Sequence, residues 1–176
     1  MRTIFVATLM LIFSIAMVFA EGGVPAEGTK FVGAKIAIDD AGGADLGFLG
    51  TFELIAKDDL LNLGELETGL GYGGSIGFSS NDFKTGNLNT LMLGGNGYLH
   101  VDFLNSDVID TYLMAVLSLY RTSWTYDSDL IDDKSDTEFE FELYLGGRYY
   151  FSENLAAVAE IGNGFGTIRL GIDIAL

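Results

Sequence analysis

Glu138-Phe139-Glu140-Phe141-Glu142-Leu143-Tyr144-Leu145-Gly146-Gly147-Arg148-Tyr149-Tyr150-Phe151 alternates between two kinds of side chain along almost its whole length. Phe139, Phe141, Leu143, Leu145, Tyr149 and Phe151 fall on one face, and Glu138, Glu140, Glu142, Tyr144, Gly146, Arg148 and Tyr150 on the other. A period of two over this many residues is the mark of a β-strand with one apolar and one polar face. The same period recurs on both sides of it. Val32 to Ile38, Leu46 to Leu54, Leu66 to Phe78 and Leu91 to Phe103 precede it, and Leu155 to Ile161 and Ile168 to Leu176 follow it.

The segment from Asp110 to Trp124 fits two templates. Ile109, Leu113, Val116 and Tyr120 make a helical stripe, whereas Leu113, Ala115, Leu117 and Leu119 make a strand face. A helix here leaves seven strands and an unpaired edge, so a strand is expected, because closure removes exposed edges. The sequence therefore predicts an all-β, eight-stranded antiparallel up-and-down barrel. Three turns fall on the side of the termini, at Lys57–Gly64, Asn105–Val108 and Ser152–Asn154. Four fall on the far side, at Asp39–Ala44, Ser79–Asn87, Tyr126–Thr137 and Gly162–Gly166. Short turns at one end and longer loops at the other are the asymmetry of transmembrane barrels.

The first twenty residues read as something other than fold. Met1-Arg2 opens a nearly unbroken apolar run, Ile4 to Phe19, which closes on Val18-Phe19-Ala20. That is the pattern of a cleaved signal peptide for Sec export, residues 1–20, leaving a single domain over 21–176. No Cys occurs anywhere in the 176 residues, which excludes a lipid-anchored Cys, disulfides and thiolate chemistry. Asp and Glu number 25 against nine Lys and Arg, for a net charge of −16. Nucleic acid, which needs a basic footprint, is excluded as a partner. The chain is nonetheless apolar on average (mean hydropathy +0.34), with 13 Phe and 8 Tyr, so its charge is confined to particular faces and loops.

Periodicity leaves open which face points outward. Gly69, Gly71, Gly73, Gly77, Gly146 and Gly171 share the polar face, where small residues suit a narrow interior and give a solvated surface nothing. Both charge signs lie on that face: Lys35, Arg148 and Arg169 with Glu53, Glu140, Glu142, Glu160 and Asp173. These eight are expected to form an interior polar network. Aromatics gather toward the strand ends, with Phe103, Tyr149, Tyr150 and Phe151 on one side and Phe78, Trp124 and Tyr126 on the other, as the two girdles of a membrane barrel do. The apolar face is therefore expected to face lipid.

Gly146-Gly147-Arg148-Tyr149-Tyr150-Phe151-Ser152-Glu153-Asn154-Leu155 followed by Ala159-Glu160-Ile161-Gly162 resembles the strand, tight turn and return strand of the small outer-membrane β-barrel family, of the OmpA/OmpX type. The resemblance covers nearly all of the chain after residue 20. It implies a transmembrane β-barrel in the outer membrane of a Gram-negative-type bacterium, in contact with outer-membrane lipid and lipopolysaccharide and inserted by the barrel-assembly machinery. Members of the family commonly close on a C-terminal aromatic, read during assembly; this chain closes on Ile174-Ala175-Leu176.

Candidate chemistry is sparse. Gly69-Leu70-Gly71-Tyr72-Gly73-Gly74 fits G-x-G-x-x-G, but the alternation runs through it where a dinucleotide site needs a helix to begin. His100 is the only histidine, with Asp102 on the same face, and an interior or interfacial role is expected for it over catalysis. The stacked Glu138, Glu140 and Glu142, with Arg148 and Arg169 as partners, suit a structural network better than the acid–base pair of a glycosidase. Asp127, Asp129, Asp132, Asp133 and Asp136 crowd one far-side loop, which lacks the Gly and terminal Glu of an EF-hand and is expected to be a solvated, external acidic loop. No cofactor and no bound metal are expected. The function expected is a structural or surface-interaction role without a wide pore and without catalysis, toward an extracellular partner the residues do not identify. Two alternatives stand beside it: an outer-membrane enzyme acting on lipid through His100, and a soluble periplasmic barrel with an apolar ligand.

Overall fold

A computed structural model describes residues 23–39, 41–60, 66–84, 86–104, 106, 108–126 and 133–176. The expected signal peptide lies outside the described residues, as do Asp127, Asp129 and Asp132 of the acidic loop. Eight strands follow one another: β1 (Lys30–Ile38), β2 (Leu46–Lys57), β3 (Thr68–Phe83), β4 (Gly86–Val101), β5 (Ile109–Tyr126), β6 (Lys134–Ser152), β7 (Leu155–Asn163) and β8 (Ile168–Ala175). Each pairs antiparallel with the next, and β8 returns to β1, closing an up-and-down barrel. The segment with two templates is a strand, β5, because β4 and β6 both need its edges.

The stagger of the barrel follows from its pairs. From Gly147 the ladders lead through Ala159, Leu170, Ile36, Phe48, Phe78, Leu91 and Arg121 back to β6 at Thr137, ten residues from the start. With ordinary strand rise and spacing, a stagger of ten over eight strands tilts them by roughly 40°. The diameter that goes with eight strands is one that side chains fill.

The alternation resolves as apolar-out. Phe48, Leu117 and Phe141 are 60%, 61% and 63% exposed, while Lys35 and Arg148 inside are 3% and 1% exposed. On β5 the outward apolar residues run from Ile109 to Leu119. At that tilt the run stands roughly 26 Å high, close to the apolar band of a transmembrane barrel. The polar-face glycines make room for interior rings: a Cβ on Gly77 would stand 2.9 Å from the Phe165 ring, and one on Gly47 would stand 2.8 Å from it.

Three expectations about the surface need correction. Ser79–Asn87 is mostly strand, since β3 runs to Phe83 and the ladder closes at Phe83↔Gly86. Likewise β6 begins at Lys134, inside the loop expected to reach Thr137. Above the apolar belt both faces are wetted, so the alternation fades while the hydrogen-bonded ladder continues. Three girdle aromatics lie on the inward register: Tyr150 is buried in the barrel, and Trp124 and Tyr126 share the register of Tyr120 and Thr122. Phe78 and Phe103 are exposed as expected, and Tyr149 packs edge-on against Phe151 at 5.5 Å.

Candidate functional site

Inward-facing positions of seven strands bring the interior charges together. Toward the end holding the chain termini, Arg148 on β6 donates through Nε to Asp173 Oδ2 of β8 at 2.7 Å and through Nη1 to Asp110 Oδ2 of β5 at 2.9 Å. Its Nη2 donates to Glu53 of β2. The guanidinium lies over the rings of Phe31 (4.1 Å) and Tyr112 (4.8 Å). His100 on β4 completes the cluster, with Nε2 2.7 Å from Glu53 Oε1 and Nδ1 2.8 Å from Asp110 Oδ1. Both ring nitrogens thus face carboxylate oxygens, an arrangement completed when both carry protons.

Nearer the middle, Lys35 Nζ on β1 donates to Glu160 Oε1 of β7 at 2.5 Å, and Tyr112 Oη donates to the same oxygen at 2.7 Å. Toward the far end, Arg169 on β8 donates through Nη2 to Glu142 Oε2 at 3.0 Å and to Tyr144 Oη at 2.6 Å, with its guanidinium 3.6 Å over the Tyr144 ring. Its Nε donates to the Phe165 carbonyl at 2.9 Å. Tyr120 Oη donates to Glu142 Oε1 at 2.6 Å. Arg169 Nη1 stands 3.8 Å from Glu160 Oε2, so the two layers communicate through Glu160. Phe165, buried in the β7–β8 connection, closes the far side of this filling against Tyr120.

Of the expected network, Lys35, Glu53, Glu142, Arg148, Glu160, Arg169 and Asp173 are buried and paired. Glu140 differs from these seven in burial. It lies on the inward register but is exposed, because β6 at that height has risen beyond the filled section. His100 and Asp110 join the network, and neither was on the expected list of eight. Their signal was present as parity: Asp110 shares the register of Tyr112, Met114 and Ser118, all buried. Asp102 stays out of it and accepts from the Ser106 N–H at 3.3 Å. The stacked glutamates separate, with Glu142 on Arg169 and Glu138 exposed, and Arg148 serves the opposite end of the barrel. Gly69–Gly74 lies wholly within β3.

The far end holds a different feature. An open cavity of about 550 Å3 is lined by Leu88, Tyr120, Trp124, Asp136, Glu138 and Glu140 among others. It exists because the strands differ in length. A tilted strand needs about 9–11 residues to cross a bilayer, and β5 and β6 have 18 and 19, while β1, β7 and β8 have 9, 9 and 8. The surplus of β3–β6 stands above the apolar belt as a four-stranded sheet facing the low rim of the other strands. Of the acidic loop, Asp133 Oδ1 accepts from the Tyr126 N–H at 3.1 Å and Asp136 Oδ1 from the Thr137 N–H at 2.8 Å. Among the described residues no cluster of three or more His, Cys, Asp or Glu is arranged to hold a metal.

No family model matches the chain, and no curated protein does. Among solved structures, the N-terminal β-barrel domain of Pseudomonas aeruginosa OprF is similar over 86% of this chain and 100% of that one, at a TM-score of 0.55 and 18% identity. The attachment invasion locus protein Ail of Yersinia pestis aligns with 85% of this chain and 95% of its own, at 0.48 and 10% identity. Its complex with the heparin analogue sucrose octasulfate aligns at 0.46 and 8% identity, over 84% and 92%. The first likeness shows a shared fold, the closed antiparallel β-barrel.

Proposed function

We propose that this barrel resides in an outer membrane and serves as a surface-interaction protein, its interior a structural filling and its raised far-end sheet the contact surface. The observation that carries the reading is the uneven strand length. Among the described residues only four strands continue past the apolar belt, and they do so together, with the β3–β4, β4–β5 and β5–β6 ladders unbroken to Phe83↔Gly86, Gly86↔Tyr126 and Trp124↔Lys134. A barrel that merely crossed lipid would have no use for this extension. Lipid, with lipopolysaccharide in the outer leaflet, then covers the belt, and the barrel-assembly machinery reads the closing strand β8.

The alternatives are less well supported. An apolar ligand would need an apolar interior, and this one is lined with ion pairs. A lipid-modifying enzyme would need His100 near the far end. It lies one residue from the opposite end of β4, fully buried, with both nitrogens on carboxylates.

The absence of Cys makes the test clean. Ser135→Cys, on the exposed far end, is expected to react with a membrane-impermeant maleimide on intact cells. Glu153→Cys, in the β6–β7 turn, is expected to react only after lysis. Reversed labelling, or labelling of both on intact cells, would overturn the orientation and with it the surface role.

A further inference from the structure

We propose that Gly23 to Glu27 form a displaceable strap across the mouth of the barrel at the end holding the chain termini, and that its docking seals the Arg148–His100 cluster from water on that side.

The strap begins where β1 stops pairing. The ladder to β2 continues past Lys30 to Thr29, whose carbonyl accepts from the Ile55 N–H at 2.9 Å, and to Gly28, whose N–H donates to the Ile55 carbonyl at 2.9 Å. At Gly28 φ is +88°, in the left-handed region, and there the chain leaves the sheet. Pro25, three residues earlier, has no N–H to offer a ladder and favours an extended Val24. Gly23 and Pro25 are buried and Val24 is half-buried, while Ala26 and Glu27 are exposed. A Cβ on Gly23 would stand 3.9 Å from the Ser106 carbonyl oxygen, in the β4–β5 turn. β1 and β5 lie opposite each other in the closed ring, so the segment crosses the mouth.

The lowest layer of the filling has a place for it. Phe31, Ile55, Tyr150 and Ala156, from β1, β2, β6 and β7, pack as one buried apolar cluster. On the facing wall β3 contributes Gly69, paired with His100 of β4. A Cβ on Gly69 would stand 2.6 Å from Val24 Cγ1 and 3.6 Å from His100 Cβ. Val24 therefore occupies the space that a β3 side chain would fill, beside the histidine, and completes the apolar layer.

Little ties the strap down. Among the described residues Gly23, Val24 and Pro25 make no hydrogen bond, and the Glu27 N–H donates to the exposed Asp58 carboxylate at 3.2 Å. A segment held by so few contacts opens well below the cost of unfolding the barrel. Water admitted there raises the local dielectric and weakens the pairs that Arg148 and His100 make with Glu53, Asp110 and Asp173. The strap thus sets how firmly this end of the barrel is held.

His100 is the only histidine, so its ring N–H protons are the only imidazole signals of an untagged barrel labelled with 15N-histidine. Their exchange with water is measured by NMR in detergent micelles, beside the backbone amides of Leu113 to Leu119. The double variant Val24→Gly, Pro25→Gly loosens the strap. It is expected to speed imidazole exchange at least tenfold, with the β5 amides unchanged and heat-modifiable migration kept. The pair Val24→Cys, Gly69→Cys has no other thiol to compete with it and sits close enough for a disulfide. Oxidised, it is expected to exchange at least threefold more slowly than reduced. Unchanged imidazole exchange in the folded double-glycine variant would overturn the seal. Equal speeding of the β5 amides would overturn it too, showing a loosened barrel in place of an opened strap. Equal exchange in the oxidised and reduced cysteine pair would show that the strap does not open.

Discussion

Arg148 Nη1 lies 2.9 Å from Asp110 Oδ2, and the other oxygen of that carboxylate lies 2.8 Å from His100 Nδ1. Asp110 therefore ties β6 to β4 through the interior, in addition to its backbone ladders. Removing Arg148 takes from Asp173 its guanidinium partner and leaves Glu53 and Asp110 with His100 alone, and breaking a buried pair costs about 3–5 kcal/mol. Arg148→Met is expected to lower the unfolding free energy in urea by about that amount. Asp110→Asn should cost less, because Glu53 and Asp173 still hold the guanidinium.

Lys35 and Glu160 are buried against each other at 2.5 Å. Lys35→Met and Glu160→Gln should each destabilise the barrel, and the double variant should recover much of the loss, since replacing both partners spares an orphaned charge. A thermodynamic cycle on the four proteins in one detergent checks this. Additive losses would show the two residues to be independent.

Between Phe165 and Arg148 the interior holds buried side chains, among them Tyr98, Tyr112, Tyr144 and Arg169. The purified barrel in planar bilayers is expected to give no stable wide-pore conductance steps. Long-lived, large steps in the unaltered protein would contradict a filled interior.

Leu176 continues the outward register of β8, its N–H donating to the Lys30 carbonyl at 2.9 Å and its side chain exposed. If β8 is what the assembly machinery reads, Leu176→Phe should keep or raise the amount of folded barrel in outer membranes, and Leu176→Asp should lower it severalfold. Quantitative comparison of unboiled gel bands reads both.

The sequence carried the architecture because an apolar outer face over a polar interior enforces alternation. Through the belt, as from Leu113 to Leu119, one face is apolar and the period of two is visible residue by residue. Outside the belt the constraint lapses. Ser80 to Asp82 and Lys134 to Thr137 are strand residues with neither face buried, so they resemble those of loops. The interior was legible in kind and less so in detail. Lys35, Arg148 and Arg169 stand out as charges on a small-residue face, whereas Asp110 lies at the start of a segment that also fits a helix. Tyr150, Trp124 and Tyr126 are hard to place from sequence because aromatic residues near strand ends suit a lipid interface and an interior rim equally; only register separates them.

Spin labels placed one at a time from Met114 to Leu119 of β5 test most directly that the apolar face meets lipid. In outer-membrane vesicles the outward positions 115, 117 and 119 should be accessible to oxygen and shielded from a water-soluble nickel chelate, while 114, 116 and 118 should be shielded from both. Chelate access at 117, or loss of the two-residue period along the strand, would contradict an apolar-out barrel in a membrane.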